Sequence, residues 1–235
     1  MSILECRGLR KDYGGKVAIE NLDLVIESGR TIGLLGPNGC GKSTLIKLTA
    51  GLLTPTSGSI SVCGMPVSEK TNSLISYLPE RTYLSSGMCV ADLIAYFKDF
   101  YTDFDPVKAN EMLKVLNIEP TARLRTLSKG TKEKVQLIMV MARKARLYLL
   151  DEPIAGVDPS SRDYILSTII SNYSEDAAVL ICTHLIYDVE PILDEFMFMG
   201  YGGQIVMRDS ADNARKTYGK PLDQIFREVF RCCAY

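Results

Sequence analysis

Neither sign of charge dominates this sequence of 235 residues: 27 Lys and Arg stand against 28 Asp and Glu, and the sequence pI is about 6.0. Without a basic excess the chain has no electrostatic footprint for nucleic acid, and no nucleic-acid partner is expected. Long apolar runs are missing too. The longest candidate, 135–142, is cut off by Arg143 and Lys144, well short of the ~18 residues that a membrane span requires. The start, Met1-Ser-Ile-Leu-Glu-Cys, has neither the charged opening nor the apolar core of a signal peptide. These absences predict a soluble, cytoplasmic protein whose membrane role, if it has one, is borrowed from a partner. The seven cysteines are odd in number and form no C-x-x-C pair, which argues against a disulfide framework or a zinc site. Cys232 and Cys233 read as reduced thiols on an exposed tail. There is no internal repeat, low-complexity segment or Pro-rich linker. With 46% hydrophobic residues, the chain suits one large α/β domain, or a core with a smaller lobe.

What is present begins with Gly36-Pro37-Asn38-Gly39-Cys40-Gly41-Lys42-Ser43-Thr44. The segment matches G-x-x-x-x-G-K-[ST], a loop that cradles nucleotide phosphates. Gly36, Gly39 and Gly41 are expected to let the backbone curl at φ/ψ values that a side chain would penalise, so that successive N–H groups face inward. Lys42 supplies positive charge for the β- and γ-phosphates, and Ser43 a hydroxyl for Mg²⁺. Thr31 to Leu35 reads as a buried strand and Leu45 to Ala50 as a helix, the context that the loop needs. The helix should aim its positive end at the phosphates. No N-K-x-D run is present to read a guanine edge, so adenine is the expected base.

Alternation predicts antiparallel strands over 3–10 and 17–27, joined at Gly14-Gly15. Further strands are expected at 59–63 and 74–78. From about 90 to 127 the apolar spacing turns helical, and Pro106 and Pro120 divide it into three helices. A fourth helix follows Ser128 to about Arg143. Strands at 146–150, 178–182, 195–199 and 204–208 then alternate with helices at 159–172 and 187–194, before a polar helical tail from about Ser210. The aromatics from Tyr96 to Phe104 serve either as a core stripe or as the lining of a groove.

Two acids, Asp151 and Glu152, close the apolar run from Leu147 to Leu150. A central strand would deliver them to the carboxyl edge of the sheet, where ligands collect. Asp151 would hold Mg²⁺ directly or through water. Glu152, pointing to the opposite face, is free to polarise an attacking water. His184, the single histidine, ends another apolar run, and its place at the sheet edge favours a γ-phosphate contact. Leu127-Ser-Lys-Gly-Thr131 reads as a helix start, with Ser128 as cap and Gly130 allowing close backbone approach to a ligand.

In this order the motifs resemble the ATP-binding subunits of ABC transporters over nearly the whole chain, from Tyr13 to His184. The family signature, usually LSGGQ, is Leu-Ser-Lys-Gly-Thr here: Ser128 and Gly130 match, and Lys129 and Thr131 depart. The resemblance implies ATP hydrolysis with ATP and Mg²⁺. It implies a P-loop core with a mostly parallel sheet, an N-terminal antiparallel β lobe and an inserted helical lobe. The division expected is one domain, with its core at about 1–83 and 143–208, the helical lobe at 84–142 and a helical tail at 209–235. Tyr13 stands where the family stacks an aromatic on adenine. Ser128 and Gly130 would contact the γ-phosphate bound by a second subunit, and Asp158 would communicate across that dimer. Glu80 falls where the family has Gln, and is either a metal ligand or turned away. The implied partners are a second ATP-binding subunit, identical or a close paralogue, and a membrane permease on a separate chain, with a leaning towards export from the inner face of the membrane. A soluble ABC-type ATPase is the alternative.

Overall fold

The computed structural model describes residues 1–85 and 87–231. In chain order these form β1 (Ser2–Asp12), β2 (Val17–Glu27), β3 (Arg30–Leu35), α1 (Lys42–Thr49), β4 (Ser57–Val62), β5 (Met65–Pro66), α2 (Glu69–Asn72) and β6 (Ile75–Leu78). Then come α3 (Val90–Phe100), α4 (Pro106–Val115), α5 (Lys129–Met141), β7 (Leu147–Asp151), α6 (Pro159–Ser171) and β8 (Ala178–Thr183). The remainder is α7 (Ile186–Val189), β9 (Glu195–Met199), β10 (Ile205–Ser210), α8 (Ala211–Tyr218) and α9 (Leu222–Arg231). The fold is α/β. One four-stranded antiparallel sheet has the order β2-β1-β4-β5, and a six-stranded sheet the order β10-β9-β3-β8-β7-β6. The larger sheet is parallel apart from its edge strand β10.

The apolar runs of the central strands follow from their place between two cores. On β7, Leu147 and Leu149 join one cluster, with α1 and the antiparallel sheet, while Tyr148 and Leu150 join the other, with α5, α6 and the helical segment. Strand β8 divides the same way: Ala178, Leu180 and Cys182 face one side, Val179 and Ile181 the other. A period of two with apolar residues on both faces is what a covered parallel strand demands. The register pairs Leu35 with Thr183 and Asp151 with Cys182. The carboxyl ends of β3, β7 and β8 are therefore level, and the loop after Leu35, the acids after Leu150 and His184 emerge at one edge.

Two helix expectations give way to local chemistry. Of the three helices foreseen between 90 and 127, the third is only a 3₁₀ turn, Leu124–Thr126. The chain leading to it spends its backbone groups on the start of α3: Val90 and Ala91 donate to the carbonyls of Ala122 and Pro120, and Leu124 donates to Met88. The helix expected at 187–194 is α7 followed by a 3₁₀ turn, Glu190–Ile192. Pro191 has no N–H to continue the α ladder.

Arg143, 3% exposed, fastens the helical segment to the sheet. Its guanidinium meets the Asp103 carboxylate at 3.1 Å, donates to the carbonyls of Ser73 and Ile75, and lies 3.9 Å over the Tyr101 ring. At the other end Phe226 and Phe230 of α9 pack on Phe198 of β9. Cys232 and Cys233 lie outside the described residues. Among the described residues no helix is long and apolar enough to cross a membrane.

Candidate nucleotide site

The loop after β3 depends on its glycines for two different reasons. Gly39 and Gly41 sit at φ of 80° and 115°, in the left-handed region, and a Cβ on Gly41 would fall 2.6 Å from the Ala18 carbonyl oxygen. Gly36 does not have a positive φ, contrary to expectation. What it requires is space, since a Cβ there would meet Cys40 Sγ at 2.7 Å and overlap the Met199 carbonyl. The Cys40 side chain is fully buried in the core beneath the loop, and burial pushes its thiol pKa up. Cys40 thus offers the loop its backbone rather than its sulfur.

Helix α1 starts at Lys42, with no side chain capping its N-terminus, an arrangement that anions complete. The Lys42 ammonium, almost buried, donates to the carbonyls of Gly36 at 2.7 Å and Pro37 at 3.1 Å. It is held across the loop. Ser43 Oγ donates to Asp151 Oδ1 at 3.1 Å. Burial is the main reason that the Asp151 pKa is raised to about 6; the Ser43 hydroxyl opposes the shift, and the charges of Glu152 and Glu80 add to it. A buried carboxylate beside a hydroxyl is a fit place for a hard cation. Among the described residues no three acidic, His or Cys groups converge on such an ion, so phosphate and water oxygens must complete its shell. Mg²⁺, which keeps several waters, suits that donor set.

Glu152 leaves the strand through a left-handed turn, φ 52°, while its N–H still donates to the Cys182 carbonyl. This turn, more than strand alternation, separates it from Asp151. Its carboxylate is held at both oxygens: the Thr183 hydroxyl donates to Oε2 at 2.8 Å, and His184 Nδ1 lies 2.9 Å from Oε1. The His184 ring is half exposed. Histidine and glutamate are thus one unit, where the sequence had given them separate tasks. Thr183 escaped the sequence reading. Its only signal is a hydroxyl residue ending an apolar strand beside the histidine.

A cavity of about 530 Å³ collects these groups, within the size range of small-molecule sites. It is lined by Tyr13, Asn38, Gly39, Gly41, Lys42, Ser43, Thr44, Glu80, Glu152 and His184, and by three residues not anticipated: Lys16, Ala18 and Ala155. Tyr13 is half exposed at the β1–β2 turn, where its N–H donates to the Lys16 carbonyl. Ser128, Gly130 and Asp158 are not part of this lining. Ser128 caps α5 by accepting from Thr131 N at 3.1 Å, and Asp158 caps α6 by accepting from Ser161 N at 3.0 Å. A Cβ on Gly130 would meet no atom within 4 Å.

A family profile described as ABC transporter matches residues 19–155. This chain belongs to the ABC transporter family. Nod factor export ATP-binding protein I of Cupriavidus metallidurans is 29% identical over 97% of the chain and 74% of its own length. The ABC transporter ATP-binding protein YhaQ of Bacillus subtilis is 31% identical over 89% of the chain and 72% of its own length. A solved ATP binding subunit of an ABC transporter superposes with a TM-score of 0.83 at 25% identity, covering 97% of this chain and 99% of that one. Two of the three departures from the family pattern, Glu80 and Lys129, have defined places. Glu80 lines the cavity. The ammonium of Lys129 lies 3.8 Å from Glu133 and would be 3.4 Å from a Cβ on Gly156.

Proposed function

We propose that this ABC chain hydrolyses ATP to drive a membrane permease carried on a separate chain, working as a pair of ATP-binding subunits on the inner face of the membrane. The observation that carries the proposal is the single cavity in which the glycine-rich loop, Tyr13 and the Glu152–His184 pair meet. Relatives named for Nod factor export support an outward direction. The core at 1–83 and 143–208, the helical lobe at 84–142 and the tail at 209–235 are read as parts of one domain.

In this reading the loop amides and the α1 N-terminus bind the phosphates, Lys42 turns from the loop carbonyls to the β- and γ-phosphates, and the Tyr13 ring stacks on adenine. Ser43 and Asp151 hold Mg²⁺, with Glu80 beside them. The metal supplies charge neutralisation on the phosphates. Glu152 takes the proton of the attacking water, while Thr183 and His184 fix its carboxylate. With the fold holding these groups in place, positioning and electrostatics carry the reaction, since phosphoryl transfer asks for little covalent chemistry from the protein. Ser128 and Gly130 sit on a helix start away from their own cavity, which suits a γ-phosphate bound by a second copy, with Asp158 at the same junction.

A second space of about 800 Å³, lined among others by Tyr83, Tyr96, Phe100, Tyr101 and Arg143, suits an apolar helix of the permease. Its aromatics Tyr83, Tyr96 and Phe100 are exposed, so a partner would cover apolar surface there. Affinity purification from membranes solubilised in detergent tests this assignment. The expected result is a co-purifying protein with several spanning helices; its consistent absence would favour a soluble ATPase.

A further inference from the structure

Glu152 and His184 meet at 2.9 Å, and the stretches of chain that lead away from them are joined a second time. From Glu152 the backbone turns through Ala155, whose N–H donates to the Glu152 carbonyl at 3.2 Å, and reaches the buried Val157. From His184 it enters α7, the short helix that carries Asp188. Arg162, near the start of α6, bridges the two. Its Nε donates to the Val157 carbonyl at 3.1 Å and its Nη1 to Asp188 Oδ2 at 2.8 Å. Both charged side chains are 26% exposed, and a partly buried pair is screened far less than one on the open surface.

These contacts close a ring. It runs from Glu152 along the chain to Val157, through the guanidinium to Asp188, back along α7 to His184, and across the hydrogen bond to Glu152. Neither half is rigid by itself. Glu152 sits in a left-handed turn, the His184 ring is half exposed, and a helix as short as α7 has no stability of its own. Ile186 and Val189 bury α7 in the core, but apolar burial is non-directional. The guanidinium is planar and carries its donors in a fixed fork, so it sets the Val157 carbonyl against the Asp188 carboxylate in one arrangement. Arg162 is not part of the cavity lining and acts only through the groups it holds. We propose that Arg162 is a positioning residue for the Glu152–His184 pair. By clasping the far ends of both stretches, it fixes the distance and angle at which the imidazole meets the carboxylate.

The chain has a single histidine, so a histidine-labelled sample gives one set of imidazole resonances in NMR, read without nucleotide or turnover. Arg162→Met should displace them, and Asp188→Asn, a milder change on the other side of the ion pair, should displace them too. Resonances that stay in place overturn the proposal, and a lowered Tm beside them would show a brace between two helices and nothing more. The kinetic consequence rests on the role proposed for Glu152. In ATPase assays each variant should lower kcat by about tenfold, within the range for residues that act through others, with KM for ATP unchanged. Combining them should cost little more than the larger single loss, since both break one contact. Displaced resonances with full kcat would support the clasp and count against the role of Glu152, which has its own variant, so the two failures stay distinguishable.

Discussion

Asp151 shows how one residue can be poor for stability and right for its site. Its carboxyl pKa is lifted from 3.8 to about 6, chiefly by burial. A carboxyl whose folded pKa lies above its unfolded one favours the fold while protonated, below about 4, and that contribution is lost as pH rises through about 6. Asp151→Asn has no charge to desolvate. Its Tm, measured without nucleotide or Mg²⁺, should therefore gain on the unmodified chain between pH 4 and pH 7, while ATP turnover is lost. A Tm difference that stays flat across that range would contradict the burial argument. His184 belongs to the same scale. Because its ring holds the Glu152 carboxylate at 2.9 Å, His184→Ala should spare ATP affinity, measured by calorimetry, and lower turnover by roughly tenfold to a hundredfold. That Lys42, Ser43, Asp151, Glu152 and His184 gather at one sheet edge was legible, because a spaced motif marks the first two and the ends of apolar strands mark the others. Thr183 and Lys16 were not legible, because their roles arise from the level ends of neighbouring strands and from a hairpin turn, which spacing along the chain does not record.

At the scale of elements, the buried strands announced themselves as continuous apolar runs, since both faces of β7 and β8 are covered. The segment after Pro120 did not. Its fate is decided by backbone groups of 88–91 that lie far away in sequence, and local pattern has no access to such a partner. Arg143 is a similar case. In sequence it only ended an apolar run, but in the fold it joins Asp103, two carbonyls of the β6 approach and the Tyr101 ring. Arg143→Leu should cost about 2–3 kcal/mol in urea denaturation, less than the full penalty for breaking a buried pair because Asp103 remains 23% exposed. The same variant should also loosen the aromatic space that Arg143 lines. An unchanged denaturation midpoint would mean that the clasp is idle.

At the scale of the whole molecule, Ser128 and Asp158 lie apart from the cavity of their own chain, which suits the proposed pairing with a second copy. Ser128 and Asp158 spend their side chains on helix starts within the chain, so what they present to a partner is the amide-rich end of α5 and the segment 154–158. Sedimentation velocity of the purified chain should show ATP-dependent pairing, reversed when the nucleotide is hydrolysed. Persistent monomers at saturating ATP would leave a paralogous partner as the remaining arrangement.

Glu152 is the proposed base in the cavity proposed to bind ATP. Glu152→Gln keeps the side chain's shape and an oxygen for the Thr183 hydroxyl, but removes the basic carboxylate. ATP binding and steady-state turnover, measured on the same preparation with Mg²⁺, separate the two functions. The expected result is undiminished affinity with turnover reduced by at least roughly a hundredfold. Turnover at the unmodified rate would contradict it.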